Sequence, residues 1–376
     1  MLHVTKLIVG TYERLIFVFD ILKTPEGAEP NEYTIKKAAG FKIHEGPILT
    51  LSASKSMLVS GTADELKLTN MERYQESGIL LQAQEVSLTK SILHEEKFLF
   101  VAFEDGTISV LSIADSELIK KLSVGKGKAS VTDFAIHPSG KILMAVCRKK
   151  ATAALFDLIK GQRVVKTKLP MHPDSIRFSP LGTKYAILAQ KGLECRVNIH
   201  ELFPASNGVG SDSEPTSSSI SDPNFSRNEL PKSEDATNAN ISSEKAKADA
   251  DPNASKISEK SPFGAVSISS GRKITAMEFI SEESIAIAEH PNLVSIYSLA
   301  EDRPAKTASL TDVPRNSSTA GSRINAIERI PGSALFLTTT TDGIIQLWAL
   351  NDQNAAVPLA HITIPYRITA VCISAA

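Results

Sequence analysis

The chain is short of the residues that carry covalent or metal chemistry. Its 376 residues include three cysteines, Cys147, Cys195 and Cys372, far apart and each inside an apolar, strand-like run. That excludes a disulfide-framed scaffold and reads as reduced core thiols, as in cytosolic or nuclear proteins. There is one tryptophan, and the eight histidines are scattered. No Gly-rich phosphate loop, GxSxG, HExxH or CxxC occurs. His137 sits in a turn, HPSG, with no second ligand at metal-binding spacing. No catalytic residue, cofactor or metal is expected. No apolar run approaches the ~20 residues that span a bilayer. The opening MLHVTKLIVG lacks a charged region followed by a long apolar one, so neither a membrane span nor a secretory leader is expected. A net charge of −1 gives no global pull toward nucleic acid, so any such signal has to be local.

What the chain does have is short apolar strands in a repeating order. The clearest unit is Val131 to Leu158. Val131 to Ile136 reads as a strand, ended by His137-Pro138-Ser139-Gly140, where Pro cannot donate to a ladder and Gly accepts positive φ. Lys141 to Cys147 is a second strand, Arg148-Lys149-Lys150 a charged turn, and Ala151 to Leu158 a third. Strands this short cannot bury both faces alone, so they need copies.

The copies are present. First strands begin near 48, 88, 131, 174, 274, 324 and 368, and the early spacings of 40, 43 and 43 match the ~40–45-residue period of propeller blades. Fourth strands follow at Ser77 to Gln84, Glu117 to Val124, Arg163 to Leu169, Ala265 to Ser269, Lys306 to Leu310 and Val357 to Ile364. The N-terminus, Lys6 to Tyr12 and Leu15 to Ile21, opens on a second and third strand. Arg367 to Ser374 is a lone first strand. The two chain ends therefore complete one blade together, which removes the open edge of a ring of sheets. The expected fold is all-β, a seven-bladed WD40-like β-propeller in one domain spanning 1–376.

The long gap between blades five and six holds an insertion, Phe203 to Pro262, with ten acidic and six basic residues and almost no aliphatics. Such a segment cannot bury enough apolar area to offset its ordering entropy, so a disordered acidic Ser/Asn-rich loop is expected. Asp312 to Gly321 reads as a second flexible loop.

In a propeller, the turns between second and third strands share one face with the loops entering each first strand. That sorting collects Lys126, Lys128, Arg148, Lys149, Lys150, His172 and Lys191 over blades four and five, with Arg14, Arg272, Lys273, Arg323 and Arg367 elsewhere on the same face. The opposite face collects Glu95, Glu96, Asp115, Glu117, Glu282, Glu283, Glu301, Asp302 and the insertion. The first cluster is the candidate partner-binding basic face, suited to phosphates or an acidic partner with strong salt dependence. An ordinary solvated face remains the alternative, because no aromatics interleave for base stacking.

The repeats resemble degenerate WD repeats. Trp348 keeps the motif's tryptophan, Phe19-Asp20 and Phe156-Asp157 are partial matches, His44 is the nearest remnant of the motif's histidine, and Asp64, Asp105 and Asp342 stand at its turn aspartate. More narrowly, LIVGTYERLIFVFD (Leu7 to Asp20), IHPSGKILM (Ile136 to Met144), IRFSPLGTKYAI (Ile176 to Ile187), ITAMEFISEESIAIA (Ile274 to Ala288) and TDGIIQLW (Thr341 to Trp348) resemble the ribosome-assembly WD-repeat family of the p21-activated-kinase-interacting protein and its fungal maintenance-of-killer relatives. The resemblance implies a non-enzymatic scaffold for large-subunit ribosome biogenesis and pre-rRNA processing, located in the nucleolus or nucleus. Its implied partners are pre-60S assembly factors and ribosomal proteins, with pre-rRNA phosphates as a further contact, and it acts as a monomer within a larger particle. The alternative it implies is a negative regulator or adaptor of p21-activated kinase.

Overall fold

The computed structural model describes residues 2–24, 32–82, 85–125, 130–202, 266–300, 304–310, 322–351 and 355–374. The Phe203 to Pro262 insertion, the Asp312 to Gly321 loop, Lys126 and Lys128 lie outside them. The described residues form seven four-stranded antiparallel sheets. Blades two to seven are consecutive meanders whose strands lie in residues 50–82, 88–123, 133–168, 172–201 with 266–270, 274–298 with 305–310, and 324–350 with 356–363. Blade one is built from both ends of the chain. Its inner strand is Ile368–Ile373, which pairs antiparallel with Leu2–Thr11 through Leu7 opposite Ile373 and Val9 opposite Val371. The expected closure is the observed one.

Strand composition follows from where each strand sits. The second and third strands of a blade are covered on both faces by neighbouring blades, so they read as apolar runs rather than alternating ones. ILMAVC (Ile142–Cys147) divides by parity: Leu143, Ala145 and Cys147 pack toward blade three, while Met144 and Val146 pack toward blade five. The same division repeats around the ring, and the core consists of seven apolar clusters, one at each junction between consecutive blades. Outer strands have a free edge and lose this constraint. Gln162–Lys168 is exposed along its whole length. This explains the one missed strand of the scaffold, the outer strand of blade one at Tyr33–Phe41, whose sequence YTIKKAAGF carries no continuous apolar run.

In six blades the ladder to the outer strand shifts register at one recurring place. The shift follows Val18, Leu68, Val110, Leu155, Ile296 and Leu347, so it falls at Phe19, Thr69, Leu111, Phe156, Tyr297 and Trp348. A bulge there bends the outer strand and increases its twist. Phe19, Phe156 and Trp348 are the positions that carry the worn tryptophan motif, and all three are buried.

Removing residues 367–376 is expected to lower the urea midpoint and the Tm, with a loss above about 3 kcal/mol. Ile368 alone is fully buried and contributes roughly 1.5–3 kcal/mol by transfer. An unchanged midpoint in equilibrium unfolding would show that the ring holds without its closing strand.

Candidate interaction surface

Hydrogen-bonding groups that could serve chemistry are mostly spent on joining blades. In blade two, His44 lies between Glu65 and Ser60, with Nδ1 2.6 Å from the Glu65 carboxylate and Nε2 2.8 Å from Ser60 Oγ. A carboxylate only accepts, so Nδ1 carries the proton and Nε2 accepts from the Ser60 hydroxyl. Burial holds this imidazole below its ordinary pKa, consistent with a neutral ring. The polarity is that of a serine–histidine–acid triad, yet His44 and Ser60 are both 0% exposed, so no substrate can reach the hydroxyl. It is a structural lock. The acid is Glu65, while Asp64, the aspartate matched to the motif, accepts from Thr62 Oγ1 in its own turn. Blade seven keeps the other half of such a lock: Trp348 Nε1 donates to Thr338 Oγ1 at 2.9 Å. Thr338 stands one residue after Leu337, as Ser60 stands one after Val59, at matching register in the two blades.

Around the ring axis the inner strands are joined by polar contacts. Thr50 Oγ1 and Ser91 Oγ lie 3.0 Å apart between blades two and three. Lys90 then donates to Asp133 at 2.6 Å, Arg177 Nη1 donates to the other oxygen of Asp133 at 2.8 Å, and Arg177 Nε donates to Glu278 at 3.0 Å. This alternating relay laces blades three to six. Burial works against the Asp133 charge, but Lys90 and Arg177 together hold its carboxyl below the usual range. Glu278 is raised because burial outweighs the pull of Arg177. Blade seven then places Glu328 next in the series, in the register of Glu278. Among the described residues no hydrogen bond or ion pair joins the inner strands of blades six and seven. Burial, and then the Glu278 charge, push Glu328 up to about 7. Asn325 Nδ2, donating to Ile368 O at 3.0 Å, links blade seven to blade one.

The predicted basic face is only partly a free surface. The turn after Ile142–Cys147 tightens with Ala151 at φ 46 and carries Arg148, Lys149 and Lys150, all exposed. Arg148 is a link between blades: its Nη1 donates to Asp174 at 2.6 Å, its amide donates to Thr132 Oγ1, and its carbonyl accepts from His172 Nδ1 at 2.9 Å. Arg148 and His172 are thus brought together as a pin between blades four and five. Lys149 and Lys150 share its turn, and Lys191 stands exposed in the corresponding turn of blade five, beside Leu193, which is 94% exposed. The sequence sorting missed Asp174, because nothing local marks it as the partner of a residue 26 positions earlier. It also missed Tyr12, an exposed aromatic on this face over which the Arg367 guanidinium stacks at 5.7 Å from the ring centre. Near it Arg14 pairs with Glu45 at 3.4 Å.

Two acids assigned to the opposite face are linkers as well. Glu96 accepts from the amide and hydroxyl of Ser56 in blade two. Glu282 accepts from Ser179 Oγ, the Leu181 amide and Thr183 Oγ1 in blade five.

No family model matches the chain. A protein named p21-activated protein kinase-interacting protein 1-like from Danio rerio is 27% identical over 201 residues, covering 53% of this chain and 51% of the relative. Its namesake from Gallus gallus is 28% identical over 203 residues, covering 54% and 51%. The chain thus spans about half the length of the curated relatives it matches. Among solved structures, the Cps50 (Swd1) β-propeller domain of Myceliophteria thermophila superposes with a TM-score of 0.58 at 13% identity, covering 93% of this chain and 97% of that one. The RRP9 WD40 repeats give 0.59 at 11% identity, covering 88% and 84%, and U3-55K gives 0.58 at 11%, covering 88% and 85%. At such identities these structures speak to the fold alone, a WD40 propeller.

The lone position of Glu328 has a pH signature. Its folded pKa lies above the ordinary carboxylate value, so its neutral form favours folding and that contribution is lost as pH rises from about 4.5 through about 7. Glu328→Gln is expected to raise Tm over the parent at pH 8, with the difference shrinking toward pH 5. Parallel thermal melts at the two pH values check this.

Proposed function

We propose that the chain is a non-enzymatic propeller scaffold for assembly of the large ribosomal subunit in the nucleolus. Its docking surface is the face bearing Lys149, Lys150 and Lys191, to which the sequence sorting also assigns Lys126 and Lys128. The observation that carries the reading is the division of labour on that face. Arg148 and His172 are consumed in pinning two blades, while Lys149 and Lys191 are exposed at the ends of strands of the same two blades. Exposed lysines in that setting suit pre-60S assembly factors, ribosomal proteins with acidic segments, or pre-rRNA phosphates, and attraction of this kind weakens steeply with salt. Displayed loops on a stable ring are where such a fold keeps its function. The ribosomal assignment itself rests on the sequence motifs of Leu7 to Asp20, Ile136 to Met144 and Ile274 to Ala288.

A second reading is favoured by a different observation. The relatives from Danio rerio and Gallus gallus carry a name that states interaction with p21-activated kinase. On that reading the chain is an adaptor that restrains the kinase, using the same exposed face.

The behaviour of the wild-type protein separates the two, and the variant Lys149→Glu/Lys150→Glu/Lys191→Glu tests the face. Tagged wild-type protein is expected to co-sediment with precursor large-subunit particles, and the variant to lose most of that association with Tm unchanged. Wild-type protein that never enters those particles, yet binds a purified p21-activated kinase regulatory region, would replace the first reading with the second. Particle association untouched by the triple reversal would show that the docking face is elsewhere.

A further inference from the structure

The outer strands of blades three and four differ from the other five in combining consecutive exposed aliphatics with lysines. Leu118–Ser123 reads LIKKLS and Gln162–Lys168 reads QRVVKTK. They are neighbours in space: Arg163 Nη1 donates to Ser123 O at 3.2 Å and Val124 O at 3.0 Å. Each presents two consecutive aliphatic side chains to solvent, Leu118 and Ile119 at 56% and 51% exposed, Val164 and Val165 at 57% and 50%. The turn between blade four's third and outer strands adds Ile159 at 74%. Elsewhere the described outer strands offer single exposed aliphatics, Ile79 in a strand that also holds Glu76 and Val357 in a strand without a cation other than His361.

The paired aliphatics follow from the bulges. Register shifts between Val110 and Leu111 and between Leu155 and Phe156 each leave one extra residue in the outer strand, Ile119 and Val164, off the regular alternation. Lysine on a free strand edge is a common guard against edge-to-edge pairing, but a guard has no use for exposed Ile and Val, which raise the tendency to pair. Adjacent aliphatics framed by lysines of one sign match instead a ligand that brings aliphatic and acidic groups together.

We propose that this outer wall of blades three and four docks an acidic, aliphatic-containing segment of a partner protein. Val164 and Ile119 supply the apolar contact, and Lys166 and Lys168 meet the carboxylates. The wall borders the loop face assigned above at Lys168, which lies opposite Thr152, but its aliphatics belong to the outer strands, and the proposal holds whether or not the loop face binds a pre-ribosomal particle. Protein is the favoured occupant over nucleic acid because the wall offers aliphatics and no aromatic ring on which a base could stack.

The test is fluorescence anisotropy on the full chain with a labelled synthetic peptide of alternating Glu and Leu. A poly-Glu peptide of equal length and a single-stranded RNA serve as comparison probes. The Glu–Leu peptide is expected to bind at least tenfold tighter than poly-Glu. Val164→Asp and Lys166→Glu/Lys168→Glu are each expected to weaken it at least tenfold, and Lys306→Glu, on the exposed outer strand of blade six, to leave it unchanged. Hydrogen exchange on the unmutated chain keeps the result readable if a variant misfolds: binding is expected to slow exchange in 118–123 and 162–168. Equal binding of the two peptides, preference for the RNA, no binding, or protection only at other strands would each overturn the proposal.

Discussion

Every blade of this protein has two faces to bury and no means of burying either by itself. A four-stranded sheet of strands four to ten residues long is covered only when a neighbour lies on each side, and a row of such sheets always leaves two faces bare. Pairing Ile368–Ile373 with Leu2–Thr11 turns the row into a ring and gives blade seven a partner in blade one. The cluster at that junction joins Leu7, Phe17 and Phe19 to Leu335, Leu337 and Ile345. The remaining six clusters are each flanked by strands that depend on this one closure.

Within that frame, charge and hydrogen-bonding groups serve assembly before anything else. His44, Glu65 and Ser60 lock one blade, and Trp348 with Thr338 locks another. Lys90, Asp133, Arg177 and Glu278 run as an alternating relay through four blades. A buried ion pair returns its desolvation cost only when each charge is matched, and the relay is matched until Glu328, which follows Glu278 in the ring with no ion pair of its own among the described residues. The apolar cluster of Ile280, Ile327, Phe336 and Trp348 holds that junction together instead. Surface open to partners includes the exposed Lys149 and Lys191 of the blade-four and blade-five turns, and the aliphatic and basic outer strands of blades three and four.

The architecture was legible because its cause is local and repeated. Apolar strands, turn residues such as His137-Pro138-Ser139-Gly140 and Asp342-Gly343, and a period near 43 residues recur down the chain, so the blade count and the closing strand could be read directly. Tyr33–Phe41 escaped because an outer strand needs no apolar pattern. Asp64 was matched to the motif by spacing, yet the side chain that reaches His44 is Glu65, one residue on. The candidate face was legible only as a list of cations on shared turns. Lys149, Lys150 and Lys191 are exposed, but Arg148 is paired with Asp174, a residue with no local mark of its role.

By itself the sequence determined the class of fold, the number of blades and the way the ring shuts, because strand alternation and turn chemistry act over a few residues. Tertiary structure alone decided which charges are spent and which are offered. Lys90 meets Asp133 across 43 residues and Arg177 meets Glu278 across 101, separations set by the blade repeat and the insertion rather than by any short motif. Coulomb attraction and hydrogen bonding depend on distance in space, and only the closed ring brings those residues within 3.0 Å.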